Sequence, residues 1–457
     1  MITKLPTKTP VSSQISIFIF IIFVSILLAV RLVLFVAENG VNLLFWDEWD
    51  FLTPLFAGKN DLWTLFSWQH GLHRQGVGYF LIKIIADLSH WNTRFDEFSI
   101  AVTLILALTF TLILKRMVWS SFSLSDVILP FIVLNLIQYE TLIGTPNISA
   151  SALSLLLVIV YCISWIVQNG KIKYLAICIL NFLMIFTGYA LLIAPITIAL
   201  LVIEIFQSRK DKMVIVKQFS FWALMGSILS VGAFFIDYKF QTGVTCFSLK
   251  PSLLLKYPVF ISMMFAKFIR LDLLFNSTIM VLGCSVLVSI LIAIFIFHLR
   301  KITRYKFSDA PQSLIIVILI GYSLLFAVSA AIGRACLGVD AALSSRYATL
   351  LVPAFIGLYL HIVSMYRRNY RRFFIGLVLL TQLISLFPFV ARDAQTIKFY
   401  SIDKENWKRC YLQTKNYTFC NQETGFRVYP GDDARIESSL KFLEDNHLNL
   451  FLDDPIK

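Results

Sequence analysis

Charge is the scarcest thing in this sequence. Only 15% of its 457 residues are Asp, Glu, Lys or Arg, while 58% are hydrophobic and 41 are Phe. A soluble domain of this length carries far more charge, so a water-facing globular fold is excluded. A glycine-rich phosphate-binding fingerprint is also missing, which argues against a nucleotide site. There is no low-complexity tract and no tandem repeat of solenoid period. The seven cysteines and six histidines show no zinc-type spacing. No small-residue cleavage site follows the first apolar segment, which therefore reads as a retained helix.

What fills the chain is apolar runs of membrane-spanning length. They predict an all-α polytopic membrane protein with about eleven spans, at about 14–36, 97–114, 127–143, 149–167, 172–187, 189–206, 219–237, 274–298, 312–331, 347–365 and 373–391. The net charge of +13 sits mostly in short clusters between these runs. They are Lys4 and Lys8; Lys115 and Arg116; Lys171 and Lys173; Arg209, Lys210, Lys212 and Lys217; Arg300, Lys301, Arg304 and Lys306; and Arg367, Arg368, Arg371 and Arg372. All fall on loops of one parity, which marks a cytoplasmic side rather than a nucleic-acid surface. The N-terminus is then cytoplasmic and the C-terminus outside. Residues 1–391 form the membrane domain, with a first outer loop at 37–96, and residues 392–457 an extracytoplasmic tail. Two outer stretches are apolar but short. Gly76 to His90, with Lys83 and Asp87 one turn apart, predicts an interfacial helix, and Pro258 to Lys267 a short or re-entrant one. Cys410 and Cys420, ten apart in the polar tail, are a candidate disulfide. Cys246 and Cys336 also fall outside.

The chemistry-bearing residues gather on the outer side. Trp46-Asp47-Glu48-Trp49-Asp50 follows the first span, placing three carboxylates at the edge of hydrocarbon, where charge is costly. Gln69-His70-Gly71-Leu72-His73-Arg74 lies further along the same loop, beyond Asp61, a candidate cap for a short amphipathic helix. A carboxylate there can take a proton from an attacking hydroxyl, while His73 and Arg74 can hold a phosphate. Asp47 and Glu48 are alternative bases, and as oxygen donors they also suit Mg2+ or Mn2+. Asp50 and His70 are candidate substrate contacts. The plainer reading is that Asp47 caps a helix start and His73-Arg74 meets lipid headgroups.

Gly333-Arg334 and Ser345-Arg346-Tyr347 lie late in the chain, at the same predicted edge. Two arginines there match a phosphate or pyrophosphate at headgroup depth, with snorkelling anchors as the alternative. Gln138-Tyr139-Glu140 closes the third span. Glu140 there either meets substrate or pairs with Arg74 or Arg346. Gly188 and Tyr189 open the sixth span and are weaker candidates for the same cavity.

These motifs resemble the GT-C class of integral-membrane glycosyltransferases. The acidic pair Asp47-Glu48 opens the first outer loop, interfacial helices follow, and a soluble tail lies outside. More narrowly, the chain resembles a bacterial group of GT-C-like proteins in which a W-D-x-W-like motif precedes Q-H-x-x-H-R, Q-x-E and S-R-Y elements. Here those are Trp46 to Asp50, Gln69 to Arg74, Gln138 to Glu140, and Ser345 to Tyr347. The resemblance implies a bacterial inner-membrane enzyme that moves a sugar from a polyprenyl-phosphate carrier, with inversion, to an extracytoplasmic glycan, lipid or protein. It assigns Asp47, with Glu48 as alternate, the role of base or metal ligand. Arg334, Arg346, Arg74 and His73 would hold the donor phosphate, and Asp50, His70, Gln138, Glu140 and Tyr347 would contact substrate. The W-W-D-Y-G-type signature of oligosaccharyltransferases is missing, which argues against that branch. The rivals are a flippase or transporter, which needs charge near the midplane, a polysaccharide polymerase, and an acyltransferase, for which His361 is poorly placed.

Overall fold

Every predicted span coincides with helical segments in the computed structural model. It describes residues 11–453 apart from 60, 211–213, 241–245, 247–248, 274–276, 385, 388 and 432. Lys4, Lys8 and Lys212 lie outside the described residues. Six helices are long and apolar enough to cross a membrane: Ser13–Asn39, Thr93–Trp119, Gly188–Ser208, Ser277–Arg304, Pro311–Leu337 and Ser345–Val363. The protein is thus an all-α membrane protein. Four of the other five predicted spans meet shorter or interrupted helices, and the seventh meets one of 21 residues. Ala152–Ile166 and Gly170–Ile185 have 15 and 16 residues. At 1.5 Å per residue they rise only about 24 Å, against a hydrocarbon core of about 30 Å. The third predicted span is broken. Its α-helix Ile128–Val133 ends at Leu134, and a tighter turn and then a wide one, Glu140–Gly144, follow. The seventh and last coincide with Val214–Phe234 and Arg368–Ile384.

The two ends of the bundle differ. One end gathers the basic loops. Lys115 Nζ lies 2.6 Å from Asp126 Oδ2, both buried, and the Tyr359 hydroxyl donates to the other carboxylate oxygen at 2.7 Å. Lys173 pairs with Glu204 at 2.7 Å, and Gln207 Nε2 donates to the carbonyl oxygens of Ile302 and Tyr305. The opposite end carries the first loop and the tail.

In the first loop Asp61 caps Leu62–Ser67, accepting from Thr64 N at 2.8 Å. A two-residue hairpin follows, Gln69–His70 against His73–Arg74, turning at Gly71 with φ +59°. The interfacial helix is Gly76–Ser89, with Lys83 and Asp87 ion-paired on it. It lies close against the 186–188 turn. Gly76 has φ +54°, and a Cβ there would collide with the Phe186 carbonyl oxygen. Lys256–Phe268 is the predicted short outer helix, packed on Ser277–Arg304.

The tail is woven into the first loop. Trp46 N donates to Val428 O at 2.7 Å, and Asn449 Nδ2 donates to Asn42 Oδ1 and Trp91 O. Asp393 accepts from Lys267 Nζ at 2.6 Å and from the Tyr139 hydroxyl at 3.0 Å. Trp407, Leu440 and Phe451 are buried in the same continuous core as the membrane helices. Cys410 and Cys420 form a disulfide, as do Cys246 and Cys336, while Cys162, Cys178 and Cys284 are free.

Candidate active site

A cavity of about 390 Å3 opens at the first-loop end. Asp47, His70, His73, Glu140, Arg334, Arg346 and Tyr347 all line it. Residues some 300 positions apart in sequence (Asp47 and Arg346) therefore face one space. The polar groups sit towards the loops, while Phe326, Ala330 and Leu350 from the helices supply an apolar wall.

Backbone geometry aims Asp47. Trp46, just before the helix Asp47–Phe51, has φ 48°, a left-handed conformation that is costly for a bulky residue. Asp47 does not cap this helix. Glu48 instead reaches back, its Oε2 accepting from Phe45 N at 2.7 Å. Asp47 Oδ2 lies 4.0 Å from His70 Nε2. His70, together with the Arg346 and Arg334 guanidiniums, holds the Asp47 carboxyl below the usual carboxylate range, against the opposing effect of burial. Asp47 is therefore an anion at neutral pH.

The hairpin sorts its side chains by face. His70 and His73 are directly opposite in the antiparallel pair and share the cavity side. Burial, with the neighbouring His70 and Arg334 charges, pushes His73 down to about 3. It is a neutral imidazole packed on Tyr189, ring centroids 4.1 Å apart. That corrects the expectation of a cationic phosphate holder: His73 can offer one N–H, not a charge.

Arg346 is held by Glu140. Its Nε is 3.6 Å from Glu140 Oε2 and donates to Ser344 Oγ at 2.9 Å, while its backbone N donates to the same carboxylate oxygen at 3.2 Å. Ser344 Oγ also donates to Glu140, and Glu140 N donates to Ser345 Oγ at 2.9 Å. Of the two open pairings for Glu140, the structure has Arg346. Arg334 ends the helix Pro311–Arg334 on the facing wall, two residues before the disulfide-bonded Cys336.

Four expected site residues lie elsewhere. Glu48 is 1% exposed and buried near Lys404; burial pushes it up to about 8. Asp50 binds the tail, 2.7 Å from Arg435 Nη2 and 3.2 Å from the Tyr429 hydroxyl. Arg74, on the other hairpin face, donates to the carbonyl oxygens of Phe234, Ser67 and Ile236. Gln138 is buried and donates to the carbonyls of Val133 and Asn135. Asp47 and Glu48 therefore do not form a shared metal pocket. Among the described residues no group of three His, Cys, Asp or Glu side chains is placed to hold a metal ion.

Sequence reasoning missed Tyr400, Asn147, Ser151 and Ser329, which also line the cavity. Tyr400 arrives from the tail, on the wide turn Phe399–Asp403, and its ring lies over Gly144. No motif marks it. Tyr189, the weaker candidate, does line the cavity. No protein-family model, curated protein or solved structure matches the chain.

Proposed function

We propose that the protein is a GT-C-like inverting glycosyltransferase of the bacterial inner membrane. It has about eleven spans, a cytoplasmic N-terminus and an outer C-terminus. It transfers a sugar from a polyprenyl-phosphate donor to a hydroxyl of an extracytoplasmic glycan, lipid or protein. One observation carries the reading: an ionised Asp47 faces Arg334 and Arg346 across a cavity that is polar at the loops and apolar along the helices. That polarity gradient suits a lipid-linked phosphate, whose charged head and hydrocarbon tail need different surroundings. A cavity of about 390 Å3 also has room for a sugar unit.

In this mechanism the acceptor oxygen attacks the anomeric carbon while Asp47 takes the hydroxyl proton. The bond between that carbon and the phosphate oxygen breaks, and its electron pair leaves on polyprenyl phosphate. Arg334 and Arg346 meet the charge that develops there. Glu140 positions Arg346 and does not touch the reacting atoms. His73, neutral, contributes a hydrogen bond, and Tyr400 and Tyr347 wall the sugar. The test is purified protein in proteoliposomes with radiolabelled polyprenyl-phosphate sugars. Label leaving the carrier for an acceptor is the expected result. Label that crosses the bilayer on its carrier, with no product, would instead make the protein a flippase.

A further inference from the structure

The first helix stands partly away from the bundle. Only 17% of its apolar window is buried, against 56% for Thr93–Trp119 beside it. Between the two runs a groove of about 750 Å3. Ile15, Phe18 and Ile22 line one side, and Ile105, Leu108 and Leu112 the other. The hydroxyls in it are already used: Ser25 Oγ donates to Ile21 O at 2.7 Å and Thr109 Oγ1 to Ile105 O at 3.0 Å. Nothing inside calls for water, so the groove is a place for hydrocarbon.

Its mouth is different. Arg116 lines the groove at the basic end of the bundle and is exposed. Its neighbour Lys115 is buried on Asp126 at 2.6 Å, whereas Arg116 has no carboxylate partner among the described residues. An apolar trough closed by one unanswered guanidinium matches an amphipathic anion. From Gln14 to Ala29 the first helix rises about 22 Å, more than the roughly 15 Å of one leaflet's hydrocarbon.

We propose that this groove is a binding site for an anionic phospholipid of that leaflet, one acyl chain lying between the two helices and the phosphate on Arg116. A zwitterionic lipid carries its own ammonium group to the guanidinium and binds less well. The proposal is independent of the transferase reading, because the groove and the cavity share no lining residue.

The experiment is native mass spectrometry of the full chain, delipidated and then offered phosphatidylglycerol or phosphatidylcholine. The expected result is one retained phosphatidylglycerol per chain, with about tenfold preference over phosphatidylcholine, a ratio of ordinary size for one charged contact. Arg116→Gln abolishes the preference, and Thr109→Trp, which fills the groove from an exposed position, removes the bound lipid. Should Thr109→Trp fail to fold, the exposed Arg116→Gln still decides the matter. Equal retention of both lipids, or a preference that survives Arg116→Gln, overturns the proposal. So does a dimer that Thr109→Trp dissociates, because a second copy of the chain then fills the groove.

Discussion

Two carboxylates at opposite ends of the bundle, Asp126 and Asp47, are handled in opposite ways. At the basic end Asp126 is saturated: Lys115, Tyr359 and the Ser123 backbone N–H all donate to it. Glu204 has Lys173 and Ser220. At the first-loop end Asp47 has only His70 among the described residues, at 4.0 Å, and faces open space. A saturated buried carboxylate can only hold structure, since removing any partner strands a charge. A carboxylate kept ionised and left with vacant lone pairs is available to a hydroxyl that arrives from outside. The contrast separates scaffold from chemistry better than burial does.

The largest effect that would break this comparison is on Asp47. Asp47→Asn is expected to lower sugar transfer by about 10²–10⁴-fold, the usual worth of a general base, with the unfolding midpoint in detergent unchanged. A variant that keeps full activity would place the base elsewhere. Asp126→Asn should do the reverse, costing about 3–5 kcal/mol of stability, since it leaves a buried lysine unanswered. Differential scanning calorimetry or denaturant unfolding reads that loss.

Glu48 sharpens the comparison through pH. Its carboxyl is raised from 4.5 to about 8 in the folded protein. Between those values the unfolded chain has released a proton that the native chain keeps, so stability falls as pH rises through that window and levels off above it. Unfolding midpoints between pH 5 and 8 should show this slope in the native protein. Glu48→Gln should make that slope shallower while leaving transfer close to normal. The smallest effect belongs to the half-exposed pair Asp50–Arg435, where Arg435→Ala should cost roughly 0.2–1 kcal/mol, as exposed ion pairs do. A loss beyond that in chemical unfolding would mean that the pair anchors the tail.

Much of this contrast was legible in the sequence, and the failures have physical causes. Hydropathy placed the helices, and Cys410 with Cys420 paired as their spacing suggested. Both disulfides involve segments predicted to lie outside, while all three free cysteines fall in predicted spans. Predicted depth and a shared loop group Asp47, His70 and His73 with Arg334 and Arg346, and all five line one cavity. Depth does not, however, say which way a side chain turns. Glu48 follows Asp47 by about 100° around a helix, and Arg74 follows His73 onto the other face of a strand. The backbone thus turns Glu48 and Arg74 away from the cavity that their neighbours line. Tyr400 could not be found at all, because nothing local tells a tail residue that it will rest over Gly144. Apolar content does not record where helical hydrogen bonding stops, as it does at Leu134, so the third predicted span is interrupted where the sequence shows a continuous apolar run.

The placement of Tyr400 bears on how the protein is made. The wall it contributes is synthesised after every apolar span, and the ring is seated by Phe45 of the first loop and by Gly144. The cavity wall is therefore complete only once residues 392–457, the last seventh of the chain, have docked.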